Sequence, residues 1–336
     1  MNRARTNISD VAREAGVSKA TVSRVLGANY PVSPATKKAV EDAVEKLGYT
    51  ASVRARSLAT GRADAIAVIV SEPLDNIFGD QTFAKILRGI TEAMSETEIV
   101  PILLSTVSEA EQRKALRLVT NQAVDAVIHI SPWADAGLLN ALATEQVPTV
   151  ICGQSRGISP EIAQCFAFVY SDDFTGAKLA AQYLSESGVK NPVAILGVPT
   201  QPASIDRLAG YRKIFPELTE QRVVSGSWTE LSGASGIQKF ITDGVSFDAV
   251  LAGSDRIAQG VNAALRGAGI NVPQEVKVIG YDDNLVATEI SPYLTTIAQP
   301  MLEQGRVAFE LAQELIAGQM PREVVLPTEL IIRESA

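Results

Sequence analysis

The chain has one histidine, His129, two cysteines, Cys152 and Cys165, and only 5% aromatic residues. A lone imidazole argues against His-rich zinc sites and against a Ser-His-Asp hydrolase. GQSRG (153–157) does match G-x-S-x-G after a predicted strand. That fold needs a later histidine, none follows His129, and ISPE intervenes where a helix should start. There is no Walker loop and no dinucleotide glycine fingerprint. No metal, cofactor or catalytic residue is therefore expected. No apolar run approaches the ~18–20 residues that cross a bilayer. The opening MNRARTNISD has no apolar stretch behind its basic residues, which argues against a secretory signal. The cysteines then read as reduced thiols of a cytoplasmic protein without a membrane partner.

What is present is a foldable chain of uneven charge. Its 336 residues are 46% hydrophobic and 20% charged, which suggests two or three domains with a sizeable core. Residues 1–62 carry 11 Lys and Arg against five acids, whereas the remainder carries 19 against 33. A basic head on an acidic body suits an anionic polymer bound at one end.

Residues 7–48 read as three short helices. Asn7 and Asp10 suit a capping box, followed by Ile8, Val11, Ala12 and Ala15 at helical spacing. Gly16 suits a left-handed turn. Ser18 can cap a second helix with Val22, Val25 and Leu26 on its inner face. Ser33-Pro34 opens a third, lined by Val40, Val44 and Leu47 and ended by Gly48. Two helices across a glycine turn, braced by a third, form a helix-turn-helix, whose second helix enters the DNA major groove. Lys19 can donate to guanine O6/N7, and Ala20 can meet a thymine methyl. Ser18, Thr21 and Ser23 could hold phosphates, with Arg24 nearby.

The ordered string ISDVAREAGVSKATVSRVL…VSPATKKAVEDAVEKLGY resembles the DNA-binding head of the lactose-repressor/galactose-repressor (LacI/GalR) family. Asn29 and Tyr30 join the DNA-binding set. TASVRARSLATGR resembles the family's hinge helix, which the resemblance implies inserts Leu58 into the minor groove, with Arg54 and Arg56 near phosphates. Such a wedge trades a few kcal/mol of unstacking per step for a bent duplex that meets more protein. Ala51 and Ser52 stand where the family usually has Pro-Asn, so this hinge is expected to order less readily away from DNA.

From residue 64 the chain alternates strands and helices. AIAVIV (65–70) is continuously apolar, as in a strand buried on both faces. One series of strands runs to 152, and a second is expected from 166–170 onward, giving two doubly wound parallel-sheet lobes. This pattern resembles the family's core, itself similar to periplasmic binding proteins. The expected organisation is a helix-turn-helix at 1–50, a hinge at 51–62 and an effector-binding, dimerising core at 63–336. Its N-lobe is about 63–163 plus 298–324, and its C-lobe about 164–297 plus 325–336.

Ligands of such sheets bind beyond the strands' carboxyl ends. This points to Ser71, Glu72, Asp75 and Phe78 after the first strand, Ser131 and Trp133 after the third, and Gly153 and Gln154 after the fourth. Asp172, Asp255 and Asp282 follow later strands. The resemblance implies effector contacts at Arg207 in RLAGY, Asp255 in AGSDR, Asp282 in GYDDN and the aromatic Trp228. Many members carry an aspartate at the end of the fourth strand. Gly153 and then Gln154 stand there in this chain, which makes a known family sugar unsafe to copy.

The expected protein is a sequence-specific transcriptional regulator, read as a repressor, with the sign of its effector response left open. It would bind a palindromic double-stranded DNA operator as a homodimer or larger assembly. A small polar effector between the lobes would control it, a sugar or polyol before a nucleoside or purine. The alternative is a solute-binding protein without a DNA role.

Overall fold

The computed structural model describes residues 6–27, 32–49, 62–73, 77, 79–131 and 136–336. The predicted contacts Asn29, Tyr30, Arg54, Leu58, Asp75 and Phe78, together with Trp133, lie outside these residues.

The head comprises α1 (Ile8–Glu14), α2 (Lys19–Gly27) and α3 (Pro34–Leu47). Asn7 caps α1 in a reciprocal box with Asp10, and Gly16 takes a φ of +64° in the turn, where a side chain would be strained. Ser33 caps α3 with Pro34 in its first turn, and Gly48 ends it in the left-handed region. Val11, Ala12, Val22, Val40 and Ala43 form the buried core. Leu26, expected inside, is 38% exposed.

The first sheet contains β1 (Ala65–Val70), β2 (Val100–Ser105), β3 (Ala126–Ile130), β4 (Thr149–Cys152), β5 (Ala167–Ser171) and a strand from the tail, Glu323–Leu326. Its order is β2-β1-β3-β4-β5-tail, all parallel. Helices α4 (Gln81–Met94), α5 (Glu109–Thr120), α6 (Ala136–Thr144) and the single turn α7 (Pro160–Ala163) connect these strands.

The second sheet contains β6 (Pro192–Leu196), β7 (Val223–Ser225), β8 (Ala249–Ala252), β9 (Lys277–Asp282) and β10 (Thr295–Ala298). The tail strand Glu323–Leu326 is β11, and Glu329–Ile331, β12, forms the second sheet's edge. The second sheet's helices are α8 (Asp173–Glu186), α9 (Pro202–Ile214), α10 (Glu230–Thr242), α11 (Asp255–Gly267) and α12 (Val286–Glu289). The long α13 (Met301–Ile316) returns to the first lobe.

Each sheet is covered on both faces. In the first lobe one apolar layer lies under α4 and α13, and the other under α5 and α6. In the second, α8 and α9 cover one face and α10 and α11 the other. This accounts for the fully buried AIAVIV, since parallel strands between two helical layers have no solvent face. The α4–α13 crossing is close because Gly89 and Gly305 meet there. A Cβ on Gly89 would fall on the Leu302 carbonyl, and one on Gly305 on that of Ile86.

Two expectations about the core change. The strand expected at 166–170 to open the second lobe spans Ala167–Ser171 and pairs with β4 and β11 in the first sheet. Alternation predicts a strand without predicting which sheet it joins. Here the short α7 link keeps β5 beside β4, and the chain crosses only after Ser171. The second sheet is also not wholly parallel, because β12 returns antiparallel to β10. The chain crosses between the lobes three times, after β5, after β10 and after β11.

Candidate functional site

The second helix of the head presents a polar surface. Val22 anchors α2 with no exposure, and Lys19, Ala20, Ser23 and Arg24 lie on the exposed side, with Ser18 just before the helix. The Ser18 hydroxyl accepts the Thr21 amide at 3.1 Å and contacts the Thr21 hydroxyl at 2.8 Å. These two hydroxyls build the helix start. The Lys46–Glu14 pair at 2.5 Å links α3 to α1 at the surface, while the shared apolar core of Val11, Val22 and Val40 holds α2 against both.

A cavity of about 270 Å³ lies between the lobes, just under the roughly 300–1,000 Å³ typical of small-molecule sites. It is lined from both sheets' carboxyl ends, as doubly wound topology dictates. Of the predicted residues, Ser131, Gln154, Arg207, Trp228 and Asp282 line it, with Glu72 and Gly153.

Arg207, on α9, is the centre of the site and is only 4% exposed. Its Nε donates to Asp173 Oδ1 at 2.8 Å, its Nη1 donates to the Gly253 carbonyl, and Asp282 Oδ1 lies 3.6 Å from Nη1. Its guanidinium carbon stacks 3.7 Å from the Tyr281 ring and 5.3 Å from that of Trp228. Burial alone would pull its pKa down. The carboxylates of Asp173 and Asp282 outweigh that and hold it charged, above its ordinary value. Burial in turn lifts both carboxyls above their usual range, with Arg207 opposing.

Among the described residues, Arg207 Nη2 has no protein acceptor. Asp282 Oδ1 is taken by Gln299 Nε2 at 2.5 Å, leaving Oδ2 to accept. Asp282 itself has a φ of +111° and Ser131 one of +53°, uncommon for residues with a side chain and frequent where a site fixes geometry. Trp228 lies against Gly197, where a Cβ would fall inside its ring, and its Nε1 donates to Gln201 Oε1.

Two of the expected contacts, Asp255 and Ser71, lie off the cavity lining. Asp255 is fully buried and does not line the cavity. Its Oδ1 accepts the Thr296 hydroxyl at 2.6 Å, and its Oδ2 the Asn284 amide at 2.7 Å. It is the first residue of α11, and its predecessor Ser254 faces the cavity instead. Ser71 also lies off the lining, with its hydroxyl 2.8 Å from His129 Nε2 and 2.9 Å from Thr106. Asp172 caps α8 by accepting the Thr175 amide.

Sequence reasoning missed Asp80, Thr82, Tyr170, Ser171, Asp173, Gln201, Ser254, Gln299 and Gln304, all of which line the cavity. Ser171, Ser254 and Gln299 do sit at strand ends, so that rule applied uniformly would have found them. Ser171 Oγ is buried without a hydrogen-bond partner among the described residues. Cys152 also lines the cavity, and burial pushes its thiol up to about 12, so it is an inert wall.

The lobes touch beside the cavity through two seams. In one, Gln81, Thr82 and Lys85 of α4 meet the Asp283–Leu285 segment, the Lys85 ammonium donating to the Asp283 carbonyl at 2.8 Å and the Leu285 amide to Gln81 Oε1 at 3.0 Å. In the other, Asp206 of α9 accepts from Gln154 and Arg156.

A DNA-reading head on a two-lobed core with a polar cavity defines a DNA-binding transcriptional regulator. Residues 7–52 match the bacterial regulatory proteins, lacI family, and residues 181–336 match the periplasmic binding protein-like domain. The chain is 34% identical over 339 residues to the HTH-type transcriptional regulator CelR of Thermobifida fusca, covering 99% of each. It is 33% identical over 342 residues to the catabolite control protein A of Priestia megaterium, covering 98% of each. Among solved structures it resembles a transcriptional regulator CelR–cellobiose complex, with a TM-score of 0.77, 33% identity, and coverage of 99% of this chain and 100% of that one. It shares its fold with the lac repressor dimer bound to operator and the anti-inducer ONPF, at a TM-score of 0.82, 23% identity and 99% coverage of both. The chain belongs to the lacI family of bacterial regulatory proteins and is a regulator rather than an enzyme. That membership replaces the alternative of a solute-binding protein without a DNA role. No helix among the described residues is long and apolar enough to cross a membrane.

Asp255 supplies a prediction. Burial lifts its pKa from 3.8 to about 7, against the pull of the Thr296 hydroxyl and the Asn284 amide. A raised folded-state value means that its contribution to stability is complete below about pH 4 and is lost as pH rises through about 7. Asp255→Asn removes this titration and turns an amide NH₂ toward a donor. The variant should melt well below the parent at pH 4, with the gap narrowing toward pH 7. A gap constant across that range would contradict the assignment.

Proposed function

We propose that this regulator is a repressor that binds an approximately palindromic operator as a homodimer, released or recruited by a neutral polyhydroxylated effector in the interlobe cavity. The effector class is a saccharide or polyol. The observation that carries this reading is the state of Arg207. Its charge is already balanced by Asp173 and Asp282, so it offers a ligand a hydrogen-bond donor rather than a net positive charge. The lining holds Glu72, Asp80, Asp173 and Asp282 against Arg207 and Arg256. Such a lining disfavours phosphates and carboxylates.

The remaining lining suits hydroxyls. Gln154, Gln299 and Gln304 bring amides, Ser131, Ser171 and Ser254 bring hydroxyls, and Trp228 brings a ring to cover an apolar face. The cellobiose complex of the CelR relative supports the saccharide reading. The dimer is supported by β2, a sheet edge on which Val100 and Leu103 are exposed, with Val107 just beyond it. An apolar edge of this kind invites aggregation unless covered, and a second copy would cover it. Two-fold symmetry would double the short readout of one head and match a palindrome. Leu58, Arg54, Asn29 and Tyr30 remain DNA contacts on the sequence argument, and the site of action is the cytoplasm.

The experiment is thermal unfolding of the full chain against pentoses, hexoses, disaccharides, sugar phosphates, polyols, nucleosides and purines. A ligand at 100 times its Kd adds about 2.7 kcal/mol, which raises the midpoint visibly. The shift should come from a neutral saccharide or polyol and vanish in Asp282→Asn, which keeps the shape and removes the charge. Stabilisation by sugar phosphates alone, or by purines alone, would overturn the reading. For the head, Lys19→Ala should relax base preference at one symmetric position per half-site, by about 1–3 kcal/mol, in an operator-library selection. An unchanged preference would move the reading role to another residue.

A further inference from the structure

The seam at Asp206 does more than join the lobes. Its carboxylate sits on α9, next to Arg207, in the second lobe. It accepts Gln154 Nε2 at 2.7 Å and Arg156 Nη2 at 2.6 Å, both from the loop that follows β4 in the first lobe. Asp206 is 15% exposed at its side chain, so the bridge is partly shielded, whereas Arg156 is 51% exposed on its outer side. An ionised carboxylate only accepts hydrogen bonds. The amide of Gln154 must therefore turn its nitrogen to Asp206, which fixes the opposite end of that amide. Gln154 lines the cavity, and its Oε1 has no partner among the described residues. Gly153 and Gln154 follow directly on the last residue of β4, Cys152.

We propose that Asp206 is a positioning residue for the effector site. It latches the first lobe's loop to α9 through Gln154 and Arg156, and it holds the Gln154 carbonyl as an acceptor for a ligand hydroxyl. Because donors and acceptor come from opposite lobes, that acceptor is in place only while the lobes are closed. Arg156 contributes the second donor and balances the charge of Asp206, so the latch adds no net charge to the cavity mouth. This inference rests on reading the cavity as the effector site.

The first test needs no ligand. Hydrogen exchange of the full chain follows the segments 153–158 and 200–206 in the parent, Asp206→Ala and Asp206→Asn. Charge-assisted bonds of this kind support about tenfold effects. Asp206→Ala should speed exchange in both segments about tenfold while the global unfolding midpoint holds. Asp206→Asn, which keeps one acceptor, should fall between. Exchange unchanged in 153–158 would overturn the latch, and so would acceleration spread evenly over the whole core.

The second test titrates cellobiose calorimetrically into the same proteins and into Gln154→Ala and the double variant. Asp206→Ala should weaken binding about tenfold, and the double variant should bind no more weakly than Gln154→Ala alone by more than twofold. Losses that multiply would mean that Asp206 does not act through Gln154. A parent that does not bind cellobiose would overturn the part of the proposal that gives the Gln154 carbonyl a saccharide hydroxyl, and the exchange result decides the latch separately.

Discussion

Taking a guanidinium out of water costs several kcal/mol, and Arg207 recovers that cost because several strand ends deliver acceptors to it. Asp173 arrives just after β5, the Gly253 carbonyl just after β8, and Asp282 as the last residue of β9. Tyr281, one residue earlier on β9, supplies the ring beneath the cation. The carboxyl ends of β8 and β9 and the first interlobe crossing are thus held around one charge. Removing the arginine would leave two buried carboxyls without their shared counter-charge.

From that centre the organisation spreads outward through amides. Gln299 holds Asp282 on the second crossing, and Gln304 holds the Val169 carbonyl where α13 passes β5. The three crossings carry the chain between lobes without a contiguous hydrophobic core across them, since each lobe has its own apolar layers. Lobes joined in this way can rotate at little cost in buried area. Their closure is set by a few polar contacts, the Asp206 bridge and the α4 seam. A ligand that strengthens or replaces those contacts changes the core's geometry, and a response at DNA requires two core states with different ligand affinities.

The head was legible in the sequence because its signals are local. Caps at Asn7 and Ser33, a left-handed glycine at 16 and an apolar stripe each act within a few residues. Strands and helices of the core were legible for the same reason. Sheet membership was not, since strand 167–171 carries the same apolar pattern whichever sheet it joins. Of the expected residues, Arg207, Asp282, Trp228, Gln154 and Ser131 line the cavity, whereas Asp255 differs from the cavity-lining Ser254 by one residue at a helix start. A resemblance gives the neighbourhood there, and only the turn geometry decides which of two adjacent side chains points inward. Asp173, Gln201 and Gln304 belong to helices or connections whose approach to the cavity is a product of tertiary packing, so no local pattern announces them.

The most direct test of the account is reciprocal coupling between its two sites. Operator affinity is measured with and without a saturating neutral saccharide, and saccharide affinity with and without saturating operator. Equal and non-unit factors in the two directions, typically about 5- to 150-fold, are what a closure-coupled regulator predicts. A saccharide that binds the cavity and leaves operator affinity unchanged would contradict it.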